Sequence, residues 1–214
     1  MTLVRLYGVI AEPGSDVVRD ADLPPGVTSV GFRDIAAVVG ELPGTGRLRR
    51  PPPADPDAHR LVVEAIFAAR TIVPAPPGVV VRGGDAVVRW LELHFAVLGE
   101  ALAQVDGRAE GRVHVQVLPG AGVGTLTAEH RGVELAAVAR AVFRPLAAIA
   151  AAWTVAPAQP GDVSTTSASF LVERAVWPQF EAAVAAECAR DPALGVRLTG
   201  PWPPYDFVRM QFGG

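Results

Sequence analysis

The sequence contains no lysine: all 19 of its basic residues are arginine, against 22 acidic ones, for a net charge of −3. A chain this close to neutral has no long-range field to draw in nucleic acid or an acidic lipid surface, so neither is expected as a partner. There is a single cysteine, Cys188, which excludes an internal disulfide framework and fits a reducing compartment. Long apolar runs are missing too. The longest, residues 146–156, falls far short of the roughly 20 residues that a membrane span needs. No basic stretch precedes the apolar residues of the N-terminus and no signal-like cleavage site follows them, so a cytoplasmic location is expected.

Half of the 214 residues are apolar, enough for a sizeable core in one large or two small domains. The 20 prolines and 22 glycines are clustered and mark the turns. Residues 3–10 read as a first strand, with Tyr7 and Val9 on one face and Leu6 and Gly8 on the other; the missing side chain at Gly8 implies a close backbone approach. Residues 27–32 and 35–39 read as a hairpin around Arg33-Asp34. After a proline-rich loop over 43–56, Asp55 and Pro56 have the arrangement of an N-cap and first helical position. Asp57, Arg60 and Glu64 should form the wet face of that helix, and Leu61, Ala65 and Ala68 with Val62, Ile66 and Ala69 the dry one. Short strands at 71–73 and 79–81 lead to a long helix capped by Asp85 and reaching about Val105. Its apolar stripe is Val87, Leu91, Phe95, Leu98, Leu102 and Val105.

The second half reads as a strand over 112–118, a glycine loop over 120–127 and a helix over 133–151 kinked by Pro145. Strands at 153–156 and 163–172, a helix over 177–190 with Phe180, Val184 and Cys188 on its dry face, and a strand at 195–199 complete it. Strand, helix, strand, strand, helix, strand is the order of a ferredoxin-like unit. The expected fold class is therefore α+β in two domains: an N-terminal mixed α/β domain over 1–108, and a C-terminal ferredoxin-like (βαββαβ) domain with its tail over 109–214.

A search for reactive chemistry finds little. His59, His94, His114 and His130 are scattered, with no pair at the three- or four-residue spacing of a zinc motif, and His94 falls on the buried stripe of its helix. Gly120, Gly122 and Gly124 follow a strand, but Thr125 stands where the dinucleotide fingerprint needs its third glycine, and no lysine is available for a P-loop. Arg47, Arg49 and Arg50 are a cationic loop without aromatic neighbours for base stacking. The hydroxyl-rich stretch 162–167 has no nucleophile elbow, and Cys188 reads as a small hydrophobe in its helix. No catalytic, cofactor-binding or metal-ligating residue is assigned, and the chain is not read as an enzyme.

Composition departs furthest from chance in the tail, Leu198-Thr199-Gly200-Pro201-Trp202-Pro203-Pro204-Tyr205-Asp206-Phe207-Val208. Prolines stiffen the segment, and aromatics on a stiff backbone lose little entropy on contact. Such a segment suits either a strap that seals the second domain or a partner-binding surface. Trp202, Pro203, Pro204, Tyr205 and Phe207 are the candidate contact residues.

This tail resembles the C-terminal signature of the GvpL/GvpF gas vesicle proteins. Leu6-Tyr7-Gly8-Val9-Ile10 is similar to that family's opening strand, Asp34-Ile35-Ala36-Ala37-Val38-Val39 to its second block, and Phe170-Leu171-Val172 with the helix holding Phe180 to a later strand and helix. Two departures stand out. Pro74-Ala75-Pro76-Pro77-Gly78 replaces a Pro-Val-Arg-Phe-Gly block usual in the family, and the region between Leu118 and Val133 is short. The resemblance implies a two-domain α+β protein without catalytic activity or cofactor, associated with gas vesicles in the cytoplasm. It would act in assembly, as a minor shell-associated component contacting the main hydrophobic shell protein and other gas vesicle accessory proteins. Two readings from other classes stand beside it: a ferredoxin-like regulatory or small-molecule-binding module whose 120–124 loop touches a ligand, and an enzyme with a dispersed site.

Overall fold

The computed structural model describes residues 2–11, 26–42, 53–118, 128–156 and 165–208, with backbone alone for 128–134. Contacts divide it into two units. One comprises the described residues up to Asp106 together with 203–208, and the other is Gly107–Trp202. The expected boundary at 108/109 assigns the whole tail to the second half, whereas the contacts group residues 203–208 with the first.

The first unit runs β1 (Leu3–Ala11), β2 (Val27–Phe32), β3 (Ile35–Glu41), α1 (Pro56–Ala69), β4 (Ile72–Pro74), β5 (Val80–Arg82) and α2 (Gly83–Val105). Its antiparallel sheet has the order β2-β3-β1-β4, with β5 also paired to β1. The hairpin turns at Arg33, whose φ of 54° lies in the left-handed region. Its guanidinium sits over the rings of Phe32 and Phe95, 5.4 and 5.0 Å from their centroids, a cation–π clamp between hairpin tip and helix.

β1 does not alternate as its sequence implies. Leu6 is paired with Val39 and Gly8 with Val38, so Tyr7 is an extra residue, a β-bulge. The bulge shifts the phase: Leu6 and Val9 enter one core cluster with Val4, Ile35, Val39, Leu91 and Leu98. Tyr7 instead lies with its ring 5.3 Å from that of His59 on α1. The expected pairing of Tyr7 with Val9 on one face is thereby corrected. Gly8 makes the close approach read from the sequence, since a Cβ there would lie 2.6 Å from the Val73 carbonyl oxygen.

Asp55 caps α1, its carboxylate accepting the Ala58 N–H at 3.0 Å with Pro56 opening the helix. The dry face is His59, Val62, Val63, Ile66 and Phe67. Leu61 is 59% exposed and Ala68 and Ala69 are exposed, so the dry face is rotated from the expected one. α2 buries Val87, Leu91, Leu98, Leu102 and Val105, with Phe95 half-buried. It begins at Gly83, ahead of Asp85, which makes no cap and stands in the first turn, where its charge complements the helix dipole.

The second unit runs β6 (Arg108–Val117), α3 (Ala128–Ala147), β7 (Ala152–Val155), β8 (Thr165–Glu173), α4 (Trp177–Arg190) and β9 (Leu194–Trp202). Its strands lie β7-β8-β6-β9, all antiparallel. Phe170 centres the core, its ring 5.9 Å from Phe143, 5.4 Å from Phe180 and stacked on Trp153 at 6.1 Å. Several boundaries move. β6 starts at Arg108 rather than 112, and α3 begins at Ala128 and ends at Ala147, placing Pro145 in its last turn. Cys188 is exposed, and Trp177, Phe180, Val184 and Glu187 form the buried side of α4. The expected burial of Cys188 is corrected: the helical phase set by Phe180 and Val184 points Glu187 inward instead.

The crowding at Gly8 gives a direct check. Gly8→Ala should lower unfolding stability by about 1–3 kcal/mol, because its neighbour is backbone that cannot turn aside. Gly84→Ala, in the first turn of α2 with nothing within 4 Å, should gain up to about 1 kcal/mol. Urea midpoints at unchanged m-value measure both; equal shifts would contradict the close approach.

Candidate functional site

The tail motif is divided between the units. Residues 198–202 end β9 in the second, and residues 203–208 belong to the first. β9 extends beyond the expected end at 199 because β6 continues to pair with it: Thr199 stands opposite Arg112 and Trp202 opposite Glu110. Gly200 and Pro201 are therefore the bulged residues opposite Gly111, joined by a cis peptide bond. Both glycines are required. Gly200 has φ +125°, and a Cβ on it would lie 2.7 Å from the Glu110 carbonyl oxygen. A Cβ on Gly111 would press on Trp177 at 3.1 Å and on Leu198 and Phe180 at 3.2 Å.

Below that bulge lies a group that the sequence pattern does not announce. Glu110 is 1% exposed. Its Oε1 accepts from Arg112 Nη2 at 3.1 Å and from Ser169 Oγ at 3.2 Å, while Arg112 Nε donates to Ser169 Oγ at 3.2 Å. Thr199 Oγ1 donates to the Arg112 carbonyl at 3.4 Å, tying β9 to the same strand. A buried carboxylate is costly unless its lone pairs are engaged, and here a guanidinium and a hydroxyl engage them. A partial signal exists in the alternation of Glu110, Arg112, His114 and Gln116 with Gly111, Val113 and Val115. Placing the domain boundary at 108/109 hides its first members.

The five candidate residues differ in what they offer. Trp202 is 38% exposed at the end of β9. Pro203 and Pro204 are buried, and Tyr205 and Phe207 are half-buried. The last two lie in a 3-10 turn (Tyr205–Phe207) closed by Phe207 N–H on the Pro204 carbonyl at 3.4 Å and entered through Tyr205 N–H on the Pro203 carbonyl at 2.8 Å. Val208 then packs against the core cluster of the first unit. The tail is not a free arm: residues up to Trp202 pair with β6, and Val208 packs in the first unit. It is anchored backbone that leaves the Trp202 ring partly in solvent.

The histidines do not converge. His59 is buried with Nε2 2.8 Å from the Ala75 carbonyl oxygen. Burial holds its pKa below the usual histidine range, opposed by the Ala75 hydrogen bond and reinforced by the positive charge of Arg5. His94 Nδ1 lies 2.8 Å from the Trp90 carbonyl oxygen. His114 is lowered by burial and by Arg197 and Arg112; the His130 side chain lies outside the described residues. Arg47, Arg49, Arg50, the loop over 120–124 and residues 162–164 also lie outside them, while residues 165–167 open β8. Among the described residues no group of three or more His, Cys, Asp or Glu could hold a metal ion, and no helix is long and apolar enough to cross a membrane.

A family model described as gas vesicle synthesis protein GvpL/GvpF matches residues 4–136 and 121–209. The sequence is 29% identical over 213 residues to gas vesicle protein F2 of Halobacterium salinarum, covering 97% of this chain and 92% of that one. It is 30% identical over 188 residues to gas vesicle protein L of a Streptomyces species, covering 71% and 67%. Among solved structures it is similar to the gas vesicle protein GvpF of Anabaena sp., with a TM-score of 0.77 at 21% identity over 99% of this chain and 98% of that one. GvpF of Microcystis aeruginosa gives 0.70 at 17%, covering 98% and 100%. At these identities the likeness is one of fold, a mixed α/β structure with two antiparallel sheets and, among the described residues, four α-helices.

Arg112→Met should cost about 3 kcal/mol of unfolding stability, because the buried Glu110 loses its guanidinium. Adding Glu110→Gln should recover part of that loss, giving a coupling energy of about 1 kcal/mol or more in a double-mutant cycle read by denaturant unfolding. Strictly additive single effects would contradict the network.

Proposed function

The chain belongs to the GvpL/GvpF family of gas vesicle synthesis proteins, and from that premise we propose that it acts without catalysis in gas vesicle assembly. In this reading it is a minor shell-associated component in the cytoplasm that binds the main hydrophobic shell protein and other gas vesicle accessory proteins. The observation that carries the reading is Trp202, a large aromatic 38% exposed on a strand end held by ladder pairing and a bulge. A ring on pre-organised backbone can meet an apolar subunit with little ordering cost. Tyr205 and Phe207, half-buried beyond it, extend the aromatic surface, and buried Pro203 and Pro204 hold the backbone in place.

Two finer points of architecture belong to the same reading. The strand order β7-β8-β6-β9, with α3 and α4 in the connections, supports a ferredoxin-like second domain. The grouping of contacts supports two domains meeting in sequence near Gly107. A protein that handles apolar shell subunits needs accessible surface rather than a reactive group.

Co-expression with the shell protein followed by affinity capture tests the reading. The wild-type chain should retain the shell protein. Trp202→Ala should weaken capture by about thirtyfold, the effect of losing roughly 2 kcal/mol at an interface aromatic, without lowering the melting temperature. Absence of the shell protein from the wild-type capture would refute the reading.

A further inference from the structure

α3 presents a second surface that the tail does not use. From residue 135 to residue 156 the sequence has two charged side chains, Arg140 and Arg144, and neither is acidic. Both stand on the exposed side of α3, one turn apart. Ala141, Pro145 and Ala148 form the ridge beside them, and Arg190 at the end of α4 supplies the facing wall of a groove of about 800 Å3. Arg190 is already paired with Glu187, 2.7 Å away. Arg140 Nε donates to the Ala136 carbonyl at 3.2 Å, which lays its stem along the helix. No carboxylate lines the groove among the described residues.

The lining says what would fit. Alanine and proline project little, so a partner backbone can come close. Two guanidiniums one turn apart match two carboxylates one turn apart on a facing helix, with bidentate geometry available at each. A lipid surface is a poorer occupant, since the groove is concave and carries no large apolar anchor. Nucleic acid is poorer still, since no aromatic ring lines it for base stacking. We propose that the α3–α4 groove docks an acidic helical segment of a partner protein, its carboxylates over Arg140 and Arg144 and its small apolar side chains on Ala141 and Pro145. This surface is separate from Trp202 and does not depend on the tail's role.

The test uses a fluorescein-labelled helical peptide with glutamates at i and i+4 and alanine and leucine between them, titrated with the full chain and followed by anisotropy. Binding should weaken with rising ionic strength, and should weaken about tenfold or more in Arg140→Glu/Arg144→Glu. Circular dichroism checks that the variant is folded, and Arg140→Gln/Arg144→Gln replaces it if the charge reversal lowers the melting temperature. No binding, undiminished binding by the folded variant, or equal binding of a peptide with glutamine for glutamate would overturn the proposal. So would binding to phosphatidylserine vesicles in preference to the peptide, or self-association of the chain abolished by the same substitutions.

Discussion

A carboxylate removed from water in the middle strand of a sheet must be matched by donors at fixed places, and Glu110 imposes that requirement on the second unit. β6 is paired along both edges, to β8 and to β9, and the sheet itself supplies two partners of Glu110. Arg112 reaches it from its own strand and Ser169 from β8. On the other edge the β9 backbone has to swing past the Glu110 carbonyl, and Gly200 is the residue that lets it do so. What emerges is Trp202, placed opposite Glu110. The position of the aromatic thus follows from the backbone pairing of β9 with β6 and from the bulge at Gly200, on the same strand that carries the buried charge.

The first unit is organised around a different constraint. β1 pairs with β3 on one edge and with β4 and β5 on the other. A strand so enclosed has no room for a side chain where the neighbouring backbone comes closest, which is at Gly8. Inserting Tyr7 as a bulge sends its ring to His59 and keeps Leu6 and Val9 in one cluster with α2. Burial there lowers the pKa of His59, with the Ala75 hydrogen bond opposing and the nearby Arg5 reinforcing the shift.

Much of this is legible in the sequence, and the reasons for the failures are specific. Asp55-Pro56 marks the start of α1 because capping is local chemistry, and the stripe of α2 is readable because its apolar residues recur on one face only. The same logic fails for α1, where Ala65, Ala68 and Ala69 put apolar residues all around the helix and the bulky Val63 and Phe67 decide the burial. The phase change at Tyr7 is invisible, since a bulge is set by the register of partners that a single strand does not name. Glu110 escapes notice for a related reason: a charge beside glycines reads as a turn, and its Ser169 partner lies on another strand. The tail motif alone points to the family, yet only its three-dimensional setting distinguishes buried Pro203 and Pro204 from exposed Trp202.

In the proposed function the chain acts through surfaces, Trp202 among them. The most direct measurement labels its four tryptophans with 5-fluorotryptophan and follows the 19F spectrum as the shell protein is added. The Trp202 resonance should shift or broaden on complex formation, while that of Trp177, buried against Phe180 with its Nε1 on Glu181, stays in place. A complex that forms with the Trp202 resonance unmoved would contradict the account.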